Sequence, residues 1–428
     1  MTNNFVVSGW TAHGRSVALQ YSSGDHQFVE TLTFPVEVER TPVIDRLLDL
    51  LAIVAGVSYA KAYAPTDVSF PSIAVSEAGY SLLTHIYDHG MREFAHENNM
   101  TLPSPFTVTE RARSHGHAAE RTPRDPRPLI PFGGGRDSCV VAVALEHLSP
   151  TLFTVGENPY TRAIADRMKL PHTSVIREID PALFRLNEEG APNGHVPVTA
   201  INSLISVVLA ELTGHTHVVM ANEKSASQPT RVVNGLEVNH QYSKSEECEH
   251  LISDAVRDTG STVAYGSVLR PFSDSTISRA FAHRCSNIHD LFMSCNKAMV
   301  RVVERRSDGW CKNCPKCRGV YLSLAVYLPP ESMIHIFGSD MLADISQLDG
   351  FRALLSHTSK PFECVAEPEE AQESVRALHD QPEWSSHVVV RECLALAPRS
   401  TDGSDHDASC GTSPMFSAEL NEFLDVQK

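Results

Sequence analysis

The chain is 428 residues long, 42% hydrophobic and 7% aromatic, which is material for two or three domains with a sizeable core. Lys and Arg number 36 against 52 Asp and Glu, a formal net charge of −16, and this opposes the basic footprint that phosphate-backbone binding needs, so nucleic acid is disfavoured as a partner. No apolar run approaches 18 residues and the first residues carry no basic, then apolar, leader pattern, so the expectation is a soluble cytoplasmic protein without membrane insertion.

From residue 5 to 38, apolar and polar positions alternate, as in Ser16-Val17-Ala18-Leu19-Gln20-Tyr21, with turn signals at Gly14-Arg15 and Ser23-Gly24-Asp25; the pattern predicts a small antiparallel meander. After Pro42 the spacing becomes helical, with Ile44, Leu47, Leu48, Leu51 and Val54 on one face, and the Ser76 to Asn98 region repeats it. Residues 1–110 therefore read as an α+β accessory domain. Residues 111–128 carry basic charge, three prolines and almost no large apolar side chains, which predicts an exposed linker, an arginine-rich flap being the alternative.

The stretch Leu129-Ile130-Pro131-Phe132-Gly133-Gly134-Gly135-Arg136-Asp137-Ser138 passes from a short apolar strand, through three glycines, to the start of an apolar helix. Glycines leave no Cβ between backbone N–H groups and an anion, and the positive end of the helix dipole points to the same place, so phosphate is the expected guest. The lysine and hydroxyl of the G-x-x-x-x-G-K-[ST] loop are missing. The stretch resembles instead the SGGxDS loop of the PP-loop ATP pyrophosphatases, with Gly133 where that superfamily usually has Ser; a ligand-free glycine turn is the bland alternative. Asp137 and Ser138 are N-cap residue types that can face Mg²⁺ or phosphate.

Beyond the loop, strands alternate with helices: Thr151–Gly156, Pro159–Leu170, Thr173–Ile176, Thr199–Leu212 and His217–Ala221. This predicts a doubly wound α/β fold with its ligand site beyond the carboxyl ends of the strands, at Gly133–Ser138, Gly156-Glu157 and Asn222-Glu223-Lys224-Ser225. The turn Asn193-Gly194-His195 precedes a buried helix and is either presented to the site or a plain helix entry. Residues 222–244 are polar and dense in groups that bind or ionise, among them Arg231, Asn239, His240, Tyr242 and Lys244; Asn234-Gly235 predicts a hairpin, read as a β-flap over the site or as a solvated surface hairpin.

Trp310-Cys311-Lys312-Asn313-Cys314-Pro315-Lys316-Cys317 supplies three thiols at two-residue gaps, and Cys295 lies sixteen positions earlier. Four thiolates suit tetrahedral zinc; an iron–sulfur cluster would use the same ligands, unmetallated or redox thiols are the third reading, and Cys285 rivals Cys295 for the fourth place. The domain reading is then 129–345 for the nucleotide-binding part with flap (222–244) and cysteine cluster (295–317), 346–396 for a helical extension and 397–428 for a mobile tail from which a helix over 417–426 docks back.

Taken in order, GGGRDS, NGHVP, NEKSAS, VNHQYSKS, WCKNCPKC and KPFECV resemble the UDP-N-acetylmuramoyl-L-alanyl-L-glutamate epimerases, the MurL family, from near residue 5 to about residue 375. The resemblance implies a PP-loop fold and an ATP- and Mg²⁺-dependent inversion of the terminal L-Glu of a UDP-linked muramoyl dipeptide, through adenylation of its carboxylate with release of AMP and PPi. ATP would be held by Gly133, Gly134, Gly135, Arg136, Asp137, Ser138, Gly156 and Glu157, and the substrate by Asn193, Asn222, Ser225, Arg231 and Asn239. Candidates for the acid and base are His240, Glu223, Lys224, His195, Tyr242 and Lys244, with His240 and Glu223 in the most suitable range once buried. The rival readings are another adenylating enzyme of the same superfamily, an amidotransferase or nucleoside-modifying ligase, and a non-catalytic nucleotide-binding protein.

Overall fold

The structure, a computed structural model, describes residues 4–65, 67–101, 106–108, 125–298, 300, 306–358, 360–398 and 415–425. Most of the 111–128 linker and of the 397–428 tail lies outside these residues. Twelve strands are described: β1 (Asn4–His13), β2 (Ser16–Ser23), β3 (His26–Thr33), β4 (Asp67–Ser69), β5 (Thr107–Val108), β6 (Pro128–Pro131), β7 (Thr151–Val155), β8 (His172–Glu178), β9 (His217–Met220), β10 (Arg231–Val233), β11 (Leu236–Val238) and β12 (Ala264–Ser267).

Ten of them form one sheet in the order β12-β9-β6-β7-β8-β3-β2-β1-β4-β5. The run from β12 to β8 is parallel throughout. In chain order its strands lie 5-4-1-2-3, so the order reverses between β6 and β9, and a crevice opens beyond their carboxyl ends at that switch. Successive strand residues face opposite cores: Leu129, Phe153 and Val218 enter one, and Ile130, Leu152 and Val219 the other. Helices Val198–Thr213 and Glu246–Asp258 cover the first face, and Arg136–Ala144 and Pro159–Met168 the second. The sheet is therefore doubly wound.

The meander β1–β3 forms as the alternation predicts, each strand antiparallel to the next. It does not close on itself: β3 pairs antiparallel with β8, so the N-terminal strands extend the parallel sheet and the first core draws on both. Helix Pro42–Ala55 starts on Thr41, whose hydroxyl accepts from Ile44 N at 3.2 Å, and buries Leu47, Leu48 and Leu51 in that core. C-terminal helices Asp274–Arg284, Pro315–Ala325 and Pro368–His379 line the opposite core. Helix Ser417–Leu424 docks there through Leu420 and Leu424. Among the described residues no helix is long and apolar enough to cross a membrane.

A buried ion pair closes the seam between β3 and β8. Glu30 is fully buried and accepts from Arg177 Nε at 2.8 Å and Nη2 at 3.1 Å, while Arg177 Nη2 also donates to Ser58 Oγ at 3.0 Å. Removing one partner leaves a desolvated charge, whereas replacing both with apolar groups does not. Arg177→Met should therefore lower unfolding free energy by about 3–5 kcal/mol, and adding Glu30→Leu should restore most of it, read from urea denaturation midpoints; a double variant as unstable as the single would show that the pair's charge balance is not what holds the seam.

Candidate functional site

The crevice at the switch is a cavity of about 440 Å³ lined by Pro131–Gly133 and Gly135–Ser138, by Phe153–Val155 of β7 and Asn158 beyond it, by Met220 of β9 with Ala221 and Asn222 beyond it, and by Thr199, Asn202, Lys244, Met293, Ser294, Lys316 and Val320. Three strand ends thus converge as connectivity requires. Gly134 turns with φ +75°, a conformation open to glycine. A Cβ on Gly133 would meet nothing within 4 Å, whereas one on Gly135 would come within 2.8 Å of Ser294 Oγ. Gly133 therefore faces open space, and Gly135 is small because the Met293-Ser294 segment packs on it; Met293 N donates to Gly134 O at 2.8 Å. Helix Arg136–Ala144 begins here without a side-chain cap, leaving its first N–H groups toward the cavity. Ser138 Oγ donates back to Gly135 O at 3.1 Å.

Arg136, expected on the nucleotide, points inward. Its side chain is 6% exposed and donates to Asp137 Oδ1 at 2.7 Å, Ser278 Oγ at 2.6 Å and Asp274 Oδ1 at 2.6 Å, with Glu223 Oε2 at 3.9 Å. The guanidinium is the counter-ion of a carboxylate cluster rather than a free anion ligand. Burial, then Asp137 and Asp274, push the Glu223 carboxyl from its ordinary 4.5 to about 8. Glu223 Oε1 accepts from Ser225 Oγ at 3.0 Å, and Oε2 accepts no hydrogen bond. Glu370, pushed up to about 7 by burial and Asp274, accepts from Asp274 N at 3.0 Å and Glu367 N at 3.1 Å. Asp274 is desolvated too, but the Arg136 guanidinium outweighs that and holds it below the usual carboxylate range.

Segment 222–244 is anchored at both ends by Arg270, which donates to Glu223 O at 2.9 Å and to Lys244 O at 2.7 Å. Its hairpin forms as predicted, with Asn234 and Gly235 at φ +52° and +80°. It lies away from the cavity walls: Arg231 stacks over Phe362 at 4.6 Å, and Arg92 Nη1 donates to Glu237 O at 3.2 Å. Asn222 and Lys244 line the cavity. Asn239 braces its own loop through Ala226 O at 3.0 Å and Gln241 N at 2.7 Å, Tyr242 packs on His89 with ring centroids 5.2 Å apart, and Lys224 is half-buried in the turn Lys224–Ser227. Gly156 follows β7, Glu157 is exposed and the next residue, Asn158, reaches the cavity instead. Asn193 is exposed and accepts from Lys61 Nζ at 2.6 Å.

His240 and His195 lie together, ring centroids 4.4 Å apart, with Glu93 Oε2 2.7 Å from His240 Nδ1. Burial pushes His195 down to about 4. Burial pushes His240 down too, but hydrogen bonds to Cys364 and Glu93 prevail and raise it to about 9. Glu93 and Cys364 come from helix Arg92–Glu97 and from a segment after the helical extension begins; neither stood out in the sequence reading as a site residue, and nothing short of the tertiary fold brings them here.

The four cysteines expected as a set are one: the sulfurs of Cys295, Cys311, Cys314 and Cys317 all lie within 4.8 Å of one another, and Cys285 is buried elsewhere in the second core. Cys311 and Cys317 Sγ are 3.8 Å apart; a tetrahedron of zinc–sulfur bonds about 2.3 Å long has edges of about 3.8 Å. Cys311 N and Cys317 N each donate to a cluster sulfur at 3.4 Å. The donor set fits a tetrahedral thiophilic metal.

The family model for the MurL N-terminal domain matches residues 2–268, and that for the MurL C-terminal domain residues 291–408. Three relatives bear the name UDP-N-acetyl-alpha-D-muramoyl-L-alanyl-L-glutamate epimerase. That of a Micromonospora species is 41% identical over 390 residues, covering 89% of this chain and 86% of the relative; that of Salinispora tropica is 40% identical over 396 residues, covering 89% and 84%; that of Xanthomonas oryzae pv. oryzae is 35% identical over 388 residues, covering 89% and 86%.

The carboxylate cluster makes a linkage prediction. A carboxyl raised from 4.5 to about 8 binds its proton more tightly folded than unfolded, so the protein loses stability as pH rises from about 4.5 to 8. Glu223→Gln removes that loss: its stability relative to the unsubstituted protein should rise between pH 5 and pH 8 in denaturant titrations, and parallel pH profiles would mean that Glu223 ionises freely.

Proposed function

The chain belongs to the MurL family, and on that premise we propose that this isomerase inverts the α-carbon of the terminal L-Glu of a UDP-linked muramoyl dipeptide, activating its carboxylate with ATP. The observation that carries the ATP step is the glycine loop and uncapped helix start at the switch between β6 and β9, facing a cavity large enough for a nucleotide. This is the arrangement the PP-loop reading requires, and Asp137, with one oxygen held by Arg136, is the cavity carboxylate suited to Mg²⁺. Magnesium would neutralise phosphate charge there.

The chemistry explains why ATP is needed. Taking the α-proton beside a free carboxylate would put two negative charges on adjacent atoms. Adenylation converts the carboxylate into a neutral acyl group that accepts the electron pair, with PPi as leaving group; after reprotonation on the other face, water releases AMP. The first N–H groups of helix Arg136–Ala144 can bind the phosphates, and Lys244 and Lys316, both on the cavity wall, supply positive charge at its other side. Cys295, Cys311, Cys314 and Cys317 would hold a structural zinc ion, which would fix the start of helix Pro315–Ala325.

Incubation with ATP, Mg²⁺ and the UDP-muramoyl-L-Ala-L-Glu substrate, followed by chiral analysis of released Glu and assay of AMP, tests the reading: D-Glu and AMP should appear together, and D-Glu without AMP would remove the adenylation step. Asp137→Asn keeps an acceptor for Arg136 but loses the charge, and should cut AMP formation on the order of 10²-fold while folding normally; AMP at the unsubstituted rate would place the metal elsewhere. Metal analysis should give about one zinc per chain, and Cys314→Ser should lose it together with thermal stability; an equally stable variant without metal would make the thiols a packing cluster.

A further inference from the structure

We propose that Cys364 is the residue that takes the α-proton from the glutamyl carbon, in a proton-transfer site built with Lys244, Lys316 and His240. The proposal rests on the reading that the cavity receives an activated glutamyl carboxyl. Two ammonium groups from different parts of the chain line the cavity and turn toward this one residue: Lys244 Nζ donates to Cys364 Sγ at 3.2 Å, and Lys316 Nζ donates to the Cys364 carbonyl. His240, held by Glu93, is near enough to the same thiol for each to shift the other's titration. Beside them Asn222, 7% exposed, lines the cavity with its amide Nδ2 unpartnered, a donor left for a ligand oxygen.

Cys364 is firmly held. Arg231 stacks on Phe362, Asn296 donates to Glu363, and Lys360, 5% exposed, pairs with Glu367 at 2.5 Å. Cys364 as a whole residue is half-buried. Burial alone would push it up, but the Lys244 ammonium, the His240 hydrogen bond and the Lys316 ammonium bring it to about 6, so it is a thiolate at neutral pH. Its neighbours are poor bases there. Lys244 is held above its ordinary range first by the Cys364 charge, His240 is raised to about 9 and His195 lowered to about 4.

In the step proposed, the Cα–H bond breaks, its electron pair passes into the activated carboxyl, and the proton goes to Cys364 Sγ. The opposite face of the planar carbanion takes a proton from a solvent water, and the hydroxide left behind removes the thiol proton, restoring thiolate and water. Lys244 and His240 position the thiolate and stabilise its charge.

The test separates proton transfer from ATP chemistry. With ATP, Mg²⁺ and the UDP-muramoyl-L-Ala-L-Glu substrate in D₂O, Cys364→Ala and Cys364→Ser should lose α-deuterium incorporation by 10²–10⁴-fold and keep AMP release within a few-fold, with unchanged circular dichroism. Incorporation within a few-fold of the unsubstituted enzyme, or equal loss of both signals in a folded variant, overturns the proposal. Should neither variant fold, methyl methanethiosulfonate on the unsubstituted enzyme decides: S-methylthiolation of Cys364, mapped by mass spectrometry, should track the loss of deuterium incorporation, and modification without loss overturns it. An unsubstituted enzyme that exchanges the α-proton without releasing AMP refutes the adenylation reading and leaves the cysteine test standing.

Discussion

The site depends on one guanidinium. Arg136 gathers Asp137, Asp274 and, at 3.9 Å, Glu223 at a place where three strands end and the backbone must stay open for a ligand. Carboxylates this close would repel one another and resist ionising when buried; the arginine beside them keeps Asp274 charged, while Glu223 keeps its proton at neutral pH. The interaction also has a structural reach. Asp274 and Ser278 belong to helix Asp274–Arg284, and Glu370, bonded to Asp274 N, to helix Pro368–His379. One residue of the glycine loop thereby ties the second core's C-terminal helices to the mouth of the cavity, and the loop cannot shift without breaking a buried charge network.

The second requirement is that the sheet be continuous. Because β3 pairs with β8, the N-terminal helices sit beside the segment after β9, which lets Glu93 reach His240 and Lys61 reach Asn193. The N-terminal hundred residues thus form one wall of the histidine pair. Arg270, just past β12, holds the two ends of residues 222–244 through main-chain carbonyls, so the polar segment is braced from the sheet's opposite edge and its two cavity residues, Asn222 and Lys244, are fixed at its anchored ends.

Much of this could be read from sequence, for identifiable reasons. Hydrophobic period, glycine runs and cysteine spacing are local signals, and they gave the meander, the alternating strands and helices, the glycine turn, the Asn-Gly hairpin and the four-thiol set. What they do not encode is which distant group a side chain meets. Arg136 stands beside Asp137 and reads as a phosphate ligand because its true partners lie 138 and 142 positions away. Glu157 and Asn158 are adjacent polar residues after a strand, and only the backbone path decides that the second faces the cavity. Cys364 sat in a recognisable motif, KPFECV, yet a single thiol with no nearby basic residue but Lys360 has no local mark of reactivity; its lysines come from 120 and 48 positions away.

The cysteine cluster, which looks peripheral in the sequence, is connected to the chemistry by helix geometry. Lys316 lies between the thiol donors Cys314 and Cys317, in the first turn of helix Pro315–Ala325, and Val320 on the next turn lines the same cavity. A metal on the flanking thiolates would fix the axial position and rotation of that turn, and with it the point from which the Lys316 ammonium reaches both the cavity and the Cys364 carbonyl. A lysine side chain has four rotatable bonds and little intrinsic precision; anchoring its backbone between two metal ligands removes most of the freedom that would blur its charge. Whatever these thiols hold, the turn that carries them sets the direction from which the Lys316 ammonium meets the segment of Cys364.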